Sequence, residues 1–171
     1  MRAIFPGRFQ PLHMGHIYAI QSILKENDSL LIIIENANES FTFKNPLTAG
    51  ERFEMIIDAL KDLGLTSKEI LVMPMEIIKN NAEWINHLKV MAPKFDVCYS
   101  NNELVKILME NANIKVRGIS FIERDKYQGS EIRRRIAEDL PWKNLVPENV
   151  YNYIINNHID DRVKKLYGMK E

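Results

Sequence analysis

The stretch that decides the fold is Gly7-Arg8-Phe9-Gln10-Pro11-Leu12-His13-Met14-Gly15-His16. An apolar run at residues 3–5 precedes it and predicts a first β-strand, while the apolar spacing of residues 17–24 predicts a helix that faces a sheet. Two histidines therefore lie where a strand gives way to a helix. A helix N-terminus presents free N–H groups and a positive dipole end, and Gly7 and Gly15 let a ligand approach the backbone. The stretch predicts a phosphate site.

Strand-like and helix-like segments alternate along the rest of the chain. Apolar runs predict four further strands, at residues 30–34, 69–73, 95–99 and 115–117. Amphipathic spacing predicts helices that begin near residues 48, 84, 103, 130, 147 and 160, and a capping box at Thr48 marks the first of these. This order predicts an α/β fold, a Rossmann-like doubly wound parallel sheet of about five strands with helices on both faces and a helical C-terminal part.

Length and composition limit the class of protein. The 171 residues suit one domain, which we divide into a nucleotide-binding core at 1–128 and a helical part at 129–171. Basic and acidic side chains number 23 each, which argues against a nucleic-acid or anionic-membrane partner. No apolar run approaches the roughly 20 residues that cross a bilayer, and no secretory segment precedes the first strand, so we expect a cytoplasmic protein. Cys98 is the only cysteine, which excludes an internal disulfide.

A second phosphate motif opens the helix expected at residues 130–138. Ser130 is expected to cap this helix and to offer its hydroxyl to a phosphate. Arg133 lies one turn further on, where its forked guanidinium suits phosphate oxygens. Arg134 and Arg135 point elsewhere around a helix, and for them we expect a solvated, salt-bridged face rather than a nucleic-acid surface.

The two motifs resemble those of the nucleotidyltransferase α/β phosphodiesterase superfamily. Its first motif, Gly-x-Phe-x-Pro-x-His-x-Gly-His, is filled at every defined position, and its second, Ser/Thr-x-x-Arg, is matched by Ser130 and Arg133. Further segments, including residues 45–52, 81–84 and 142–147, resemble the archaeal nicotinamide-mononucleotide (NMN) adenylyltransferases. The resemblance extends from residue 2 to about residue 155, nearly the whole chain.

The resemblance implies that ATP and NMN are joined to give NAD and pyrophosphate, by direct attack of a 5′-phosphate on the α-phosphorus. It implies four catalytic side chains, from Arg8, His13, His16 and Arg133. Further ATP contacts are implied for Gly7, Phe9, Gly15, Ser100, Asn101, Asn102 and Ser130. NMN contacts are implied for Asn81, Trp84 and Lys44, with Trp84 stacking on the nicotinamide ring. Mg²⁺ is expected on the ATP phosphates without dedicated protein ligands, and a homo-oligomer, a hexamer, is implied.

Two departures from the family pattern and several alternatives accompany this interpretation. The loop after the second strand reads Ser40-Phe41-Thr42 where the family has Ser-His-Thr, and residues 36–38 replace a segment rich in glycine and serine. The nearest alternative is a superfamily adenylyltransferase for nicotinic acid mononucleotide, pantetheine phosphate or a flavin nucleotide. A nucleotide-sensing module without turnover is the alternative of another class. A metal site on the two histidines is disfavoured because the sequence offers no third ligand at a fitting spacing.

Overall fold

Strands and helices alternate along the chain, as the apolar pattern predicts. The computed structural model describes residues 1–65, 68–120, 123 and 125–169. Its strands are β1 (Arg2–Gly7), β2 (Ser29–Ile34), β3 (Glu69–Pro74), β4 (Val97–Tyr99) and β5 (Lys115–Arg117). Its helices are α1 (Met14–Glu26), α2 (Ala49–Asp62), α3 (Asn81–Met91), α4 (Glu103–Asn111), α5 (Gly129–Ala137), α6 (Glu148–Asn156) and α7 (Ile159–Gly168). A 3₁₀ turn at Lys143–Leu145 precedes α6, and within the described ranges no helix has the length and apolar character to span a membrane.

All five strands are parallel and form one sheet in the order β3-β2-β1-β4-β5. The central strand β1 pairs with β2 on one side and with β4 on the other. The chain thus proceeds outward to β3, returns to the centre and continues in the opposite direction to β5. This reversal leaves a crevice beyond the carboxyl ends of β1 and β4, where doubly wound sheets bind their ligands. The predicted Rossmann-like fold is confirmed.

Alternate residues of the central strands enter two different cores. Ala3 and Phe5 pack with α1, α2 and the C-terminal helices, whereas Ile4 packs with α3 and α4. Every residue of β2 is buried, because helices cover both faces of the sheet. The helices α5, α6 and α7 share the first core through residues such as Ile132 and Ile154. This packing places the start of α5 beside the start of α1.

Several boundaries differ from the predicted ones, as at α3, which begins at Asn81 rather than at Trp84, and for two others the reason is visible in the structure. The fourth strand begins at Val97 rather than at residue 95, because the carboxylate of Asp96 accepts a hydrogen bond from the N–H of Arg2 at 2.7 Å. The first helix begins at Met14, three residues earlier than its apolar pattern shows, because His13 caps it. The expected capping box of α2 is confirmed between Thr48 and Glu51.

Candidate active site

A cleft of about 610 Å³ occupies the crevice beyond β1 and β4. Three segments that are distant in sequence form most of its wall: the β1–α1 loop, the residues after β4 and the beginning of α5. Glu35, after β2, and Ile119, after β5, also line it. The predicted ATP contacts that line this cleft are Arg8, Phe9, His13, His16, Ser100, Asn101, Asn102, Ser130 and Arg133. The fold therefore brings the two phosphate motifs into a single cavity, which we call the phosphate cleft.

The two histidines of the first motif cap helix α1 reciprocally. Nδ1 of His13 accepts a hydrogen bond from the backbone N–H of His16 at 3.3 Å, and Nδ1 of His16 accepts one from the N–H of His13 at 3.2 Å. Their rings stack with centroids 3.6 Å apart. Such a capping box is normally built from Ser or Thr with Glu or Gln, so sequence patterns do not predict it from histidine.

Burial sets the charge of the two histidines in the free protein, and capping sets the position of their protons. Burial lowers the pKa of His13 to about 4 and lowers that of His16 well below its ordinary value, and the neighbouring ring of His13 lowers the latter further. Both rings are therefore neutral at pH 7. Because each Nδ1 already accepts a main-chain hydrogen bond, each proton resides on Nε2. The pair offers two N–H donors to an anion rather than two positive charges.

Phe9 and the two glycines of the first motif pack closely against other protein side chains. The Phe9 ring is buried, and its centroid lies 4.6 Å from that of the His16 ring. The Phe9 ring therefore packs against His16 and restricts its position. A Cβ on Gly7 would lie 3.0 Å from Cζ of Phe9, and one on Gly15 would lie 2.9 Å from Cβ of Tyr127. These glycines therefore make room for protein side chains, and the expected approach of a ligand to the backbone at Gly7 and Gly15 stays a prediction.

Arg133 approaches the first motif from the second. It is only 5% exposed, and its Nη1 donates to the carbonyl oxygen of Gln10 at 2.7 Å. Its Nε is buried without a hydrogen-bond partner, and no carboxylate forms an ion pair with it in the described part of the chain. Burial, together with the charge of Arg8, lowers the pKa of Arg133 to about 10. A charged guanidinium thus faces the cleft with donors still to be satisfied.

Ser130 does not cap α5 as expected. The helix begins at Gly129 with Gln128 as its N-cap, so Ser130 is the second helical residue and its side chain is exposed. The Gln128 side chain forms no capping hydrogen bond, which leaves the first N–H groups of α5 without a side-chain acceptor at that position. The exposed hydroxyl of Ser130 remains on the wall of the phosphate cleft.

Arg52 holds two loops beside the site, a structural role that sequence reasoning missed. We expect from sequence only a salt bridge near the sheet edge, but the side chain is completely buried and donates to main-chain carbonyls. Its Nη1 bonds to the oxygens of Arg8 at 2.9 Å and of Glu35 at 2.7 Å, and its Nη2 bonds to that of Asn36 at 3.0 Å. Burial, together with the charge of Arg8, lowers its pKa to about 10. Arg52 therefore joins the loops that follow β1 and β2.

The residues after β4 line the cleft but use their side chains locally. Oγ of Ser100 accepts from the N–H of Asn102 at 3.1 Å, and the Asn102 side chain caps α4. The side-chain amide of Asn101 donates to the carbonyl oxygen of Ile119 at 2.6 Å and accepts a hydrogen bond from the N–H of Ile119 at 2.8 Å. These bonds shape a wall of the cleft, and any contact of the three residues with adenosine stays a prediction.

Asn81 and Trp84 line a second cavity of about 250 Å³, which we call the pyridine cavity. They lie at the beginning of α3, and the half-buried Trp84 also packs on the second core. The residues that line both this cavity and the phosphate cleft are Glu35, Asn102 and Val105. The two cavities are therefore adjacent. Glu35, the first polar residue after the buried strand β2, belongs to neither sequence motif and was not predicted as a site residue.

Lys44 lies apart from Asn81 and Trp84. It lines a third cavity together with Arg8, Ser130 and Arg133, all of which also line the phosphate cleft. The structure thus places Lys44 on the side of the second phosphate motif, and its contact with NMN stays a prediction. The solvated face of α5 is confirmed, because Arg134 and Arg135 both pair with Glu131.

The donor set does not suit a protein-bound metal ion. No cluster of three or more His, Cys, Asp or Glu side chains with metal-binding geometry occurs in the part of the chain that the structure describes. The Nδ1 atoms of both histidines are already acceptors of main-chain hydrogen bonds. A divalent ion at this site would therefore have to arrive with a substrate that supplies most of its ligands.

Comparisons with known proteins agree with this geometry. Residues 4–135 match the model of the cytidylyltransferase-like family. The chain is 40% identical to the nicotinamide-nucleotide adenylyltransferase of Saccharolobus solfataricus, over 98% of this chain and 97% of that one. It is 44% identical to the enzyme of that name from Haloarcula marismortui, over 92% and 82% of the two chains. The chain belongs to the nicotinamide-nucleotide adenylyltransferase family.

Solved structures share the fold of this chain. A bifunctional NMN adenylyltransferase/ADP ribose pyrophosphatase from Francisella tularensis superposes with a TM-score of 0.79 at 18% identity, over 98% of this chain. The same protein complexed with AMP and a Mn ion gives a TM-score of 0.76 at 17% identity. This chain spans about half the length of those chains, 52% in both cases. At such low identity the likeness supports the fold alone.

Proposed function

We propose that the chain transfers the adenylyl group of ATP to NMN and so produces NAD and pyrophosphate. The observation that carries the proposal is the adjacency of the two cavities: the phosphate cleft, with its histidines and arginines, shares Glu35, Asn102 and Val105 with the pyridine cavity. Two ligands bound in these cavities would meet at the shared wall. The relatives from Saccharolobus solfataricus and Haloarcula marismortui are named nicotinamide-nucleotide adenylyltransferases, and this name describes the same reaction.

The reaction proceeds in one displacement. A 5′-phosphate oxygen of NMN forms a bond to the α-phosphorus of ATP, and the bond from that phosphorus to the bridging β-oxygen breaks. Pyrophosphate departs with the electron pair. The attacking phosphate is already an anion, so the step needs neither a base nor a covalent enzyme intermediate. Catalysis then consists of positioning and of electrostatic stabilisation of the phosphoryl oxygens.

The side chains divide this work according to their charge. His13 and His16 donate their neutral Nε2–H groups to oxygens of the α-phosphate, because their Nδ1 atoms are held by the backbone. Arg8 and Arg133 oppose the repulsion between the two phosphate-bearing substrates. Ser130, Lys44 and the uncapped start of α5 hold the departing pyrophosphate, and Trp84 stacks on the pyridine ring beside Asn81. Mg²⁺ enters as part of the ATP complex.

Several features of this proposal rest on the family resemblance. We expect a single domain, a cytoplasmic location and assembly as a homo-oligomer, a hexamer. The substrates are small molecules, and we expect neither a nucleic-acid nor a membrane partner. Mg²⁺ in particular, rather than another divalent ion, is part of the same expectation.

Pyrophosphate release from ATP tests the function, with NMN, nicotinic acid mononucleotide, pantetheine phosphate and a flavin nucleotide offered in turn. Release with NMN supports the proposal, and tight ATP binding without turnover on any acceptor identifies a sensing module. We expect His16→Ala to lower kcat by about 10²–10³, the usual effect of losing one donor to a developing charge. Since His16 also completes the α1 cap, the variant should lose about 0.5–2 kcal/mol of stability. The exposed His158, which lines none of these cavities, provides the control His158→Ala.

A further inference from the structure

Glu35 is the acidic residue that lies between the two cavities. It follows β2 directly, and within the described residues no other carboxylate lines both the phosphate cleft and the pyridine cavity. Its side chain is half-buried, and no described side chain forms a hydrogen bond or an ion pair with its carboxylate. The bond from Arg52 to this residue reaches the main-chain oxygen only and leaves the carboxylate available.

We propose that Glu35 selects the nicotinamide form of the acceptor against the nicotinate form, an inference that rests on the proposed function. The two mononucleotides differ in one group on the same pyridinium ring: a neutral carboxamide in one and a carboxylate in the other. A carboxylate on the wall of the cavity attracts the pyridinium and accepts a hydrogen bond from the carboxamide. It repels a second carboxylate, and juxtaposed like charges are an effective means of rejecting a wrong ligand.

The other groups around the pyridine cavity do not make this distinction. Glu76 and Lys79 also line it, but both are exposed and opposite in sign, so their charges are screened by solvent and partly cancel. The Asn81 amide has both a donor and an acceptor and serves either ring substituent. Among the charged side chains that line this cavity, Glu35 is the one that is partly buried. Burial raises its pKa to about 6, against the opposing charge of Arg8, so at pH 7.5 most of it is ionised.

The test compares the specificity constants of the two acceptors in matched variants. Glu35→Gln keeps the shape and removes the charge, and Glu76→Gln makes the same change on an exposed carboxylate of the same cavity. For each protein kcat/KM is measured at pH 7.5 with NMN and with nicotinic acid mononucleotide, at saturating ATP and Mg²⁺. Glu35→Ser, a smaller neutral replacement, is measured in parallel so that the test survives misfolding of one variant.

We expect the preference for NMN to fall by about tenfold or more in both Glu35 variants, mainly through a gain with nicotinic acid mononucleotide. In Glu76→Gln it should change by less than about threefold. Equal losses with both acceptors, or an altered Mg²⁺ requirement at an unchanged preference, would overturn the assignment and leave the proposed function standing. A wild-type protein that forms a dinucleotide from neither acceptor would overturn both.

Discussion

Gly129 begins α5 against the β1–α1 loop, and one added methyl group there tests the coupling between the two phosphate motifs. A Cβ at this position would lie 2.9 Å from the carbonyl oxygen of Gln10 and 3.1 Å from Nη1 of Arg133. These two atoms are the partners in the 2.7 Å hydrogen bond that joins the motifs. The Gln10 oxygen belongs to a buried backbone, so we expect the Arg133 side chain to move in Gly129→Ala.

Three contributions set the size of the effect. Replacing Gly by Ala stabilises a compatible position by roughly 0.4–1 kcal/mol, because the unfolded chain loses entropy. Overpacking a buried site costs about 1–3 kcal/mol. Weakening a hydrogen bond to a buried guanidinium costs about 1.5–3 kcal/mol more. Gly129→Ala should therefore lower the free energy of unfolding by about 1.5–5.5 kcal/mol. A displacement of Arg133 of about 1 Å should lower kcat by up to about 10².

Gly50 provides the matched control, since it is an early residue of α2 and has room for a methyl group. The nearest atom to its added Cβ is Oγ1 of Thr48, at 3.9 Å. We expect Gly50→Ala to keep full activity and to be as stable as the wild type or slightly more stable. Urea denaturation gives the stabilities and pyrophosphate release gives kcat. If Gly129→Ala matches Gly50→Ala in both measurements, the contact between Arg133 and Gln10 does not hold the motifs together.

The remaining predictions concern protons, the buried arginine and the metal. The pKa of His13 is about 4 in the folded protein against an ordinary 6.5, so the unfolded chain takes up its proton first as the pH falls. Stability should therefore decline by about 3 kcal/mol between pH 6.5 and 4, and urea denaturation of His13→Gln should show that much less decline. Arg52→Met should lower the free energy of unfolding by about 3–5 kcal/mol, because carbonyls of the loops after β1 and β2 lose their donor; an unchanged melting temperature would contradict this role. Chelation of divalent ions by EDTA should abolish turnover without changing the melting temperature, since we expect the ion to be held by the nucleotide.

The spacing of the apolar residues, together with the capping and turn residues between them, predicts most of the fold. The uninterrupted apolar run of β2 predicts a strand buried on both faces, and its burial confirms this. The reciprocal caps of His13 and His16 escaped prediction because histidine is not a usual capping residue. The carbonyl bonds of Arg52 escaped because they depend on how α2 packs against two loops that are distant in sequence. Glu35 did leave a signal: a charged residue directly after a fully buried strand lies at the edge of the sheet where ligands bind.

The two buried arginines show how the cleft keeps its charge. Arg52 and Arg133 both bond to main-chain carbonyls, and no ion pair neutralises either of them in the described part of the chain. A carbonyl satisfies an N–H donor without cancelling its charge, so a positive field persists in the cleft. Burial lowers the pKa of both side chains, and the charge of Arg8 lowers it too, which shows that Arg8 repels each of the two buried cations. A triphosphate in the cleft would relieve that repulsion. Part of its binding free energy would then come from the unfavourable electrostatics of the free protein, in addition to new contacts.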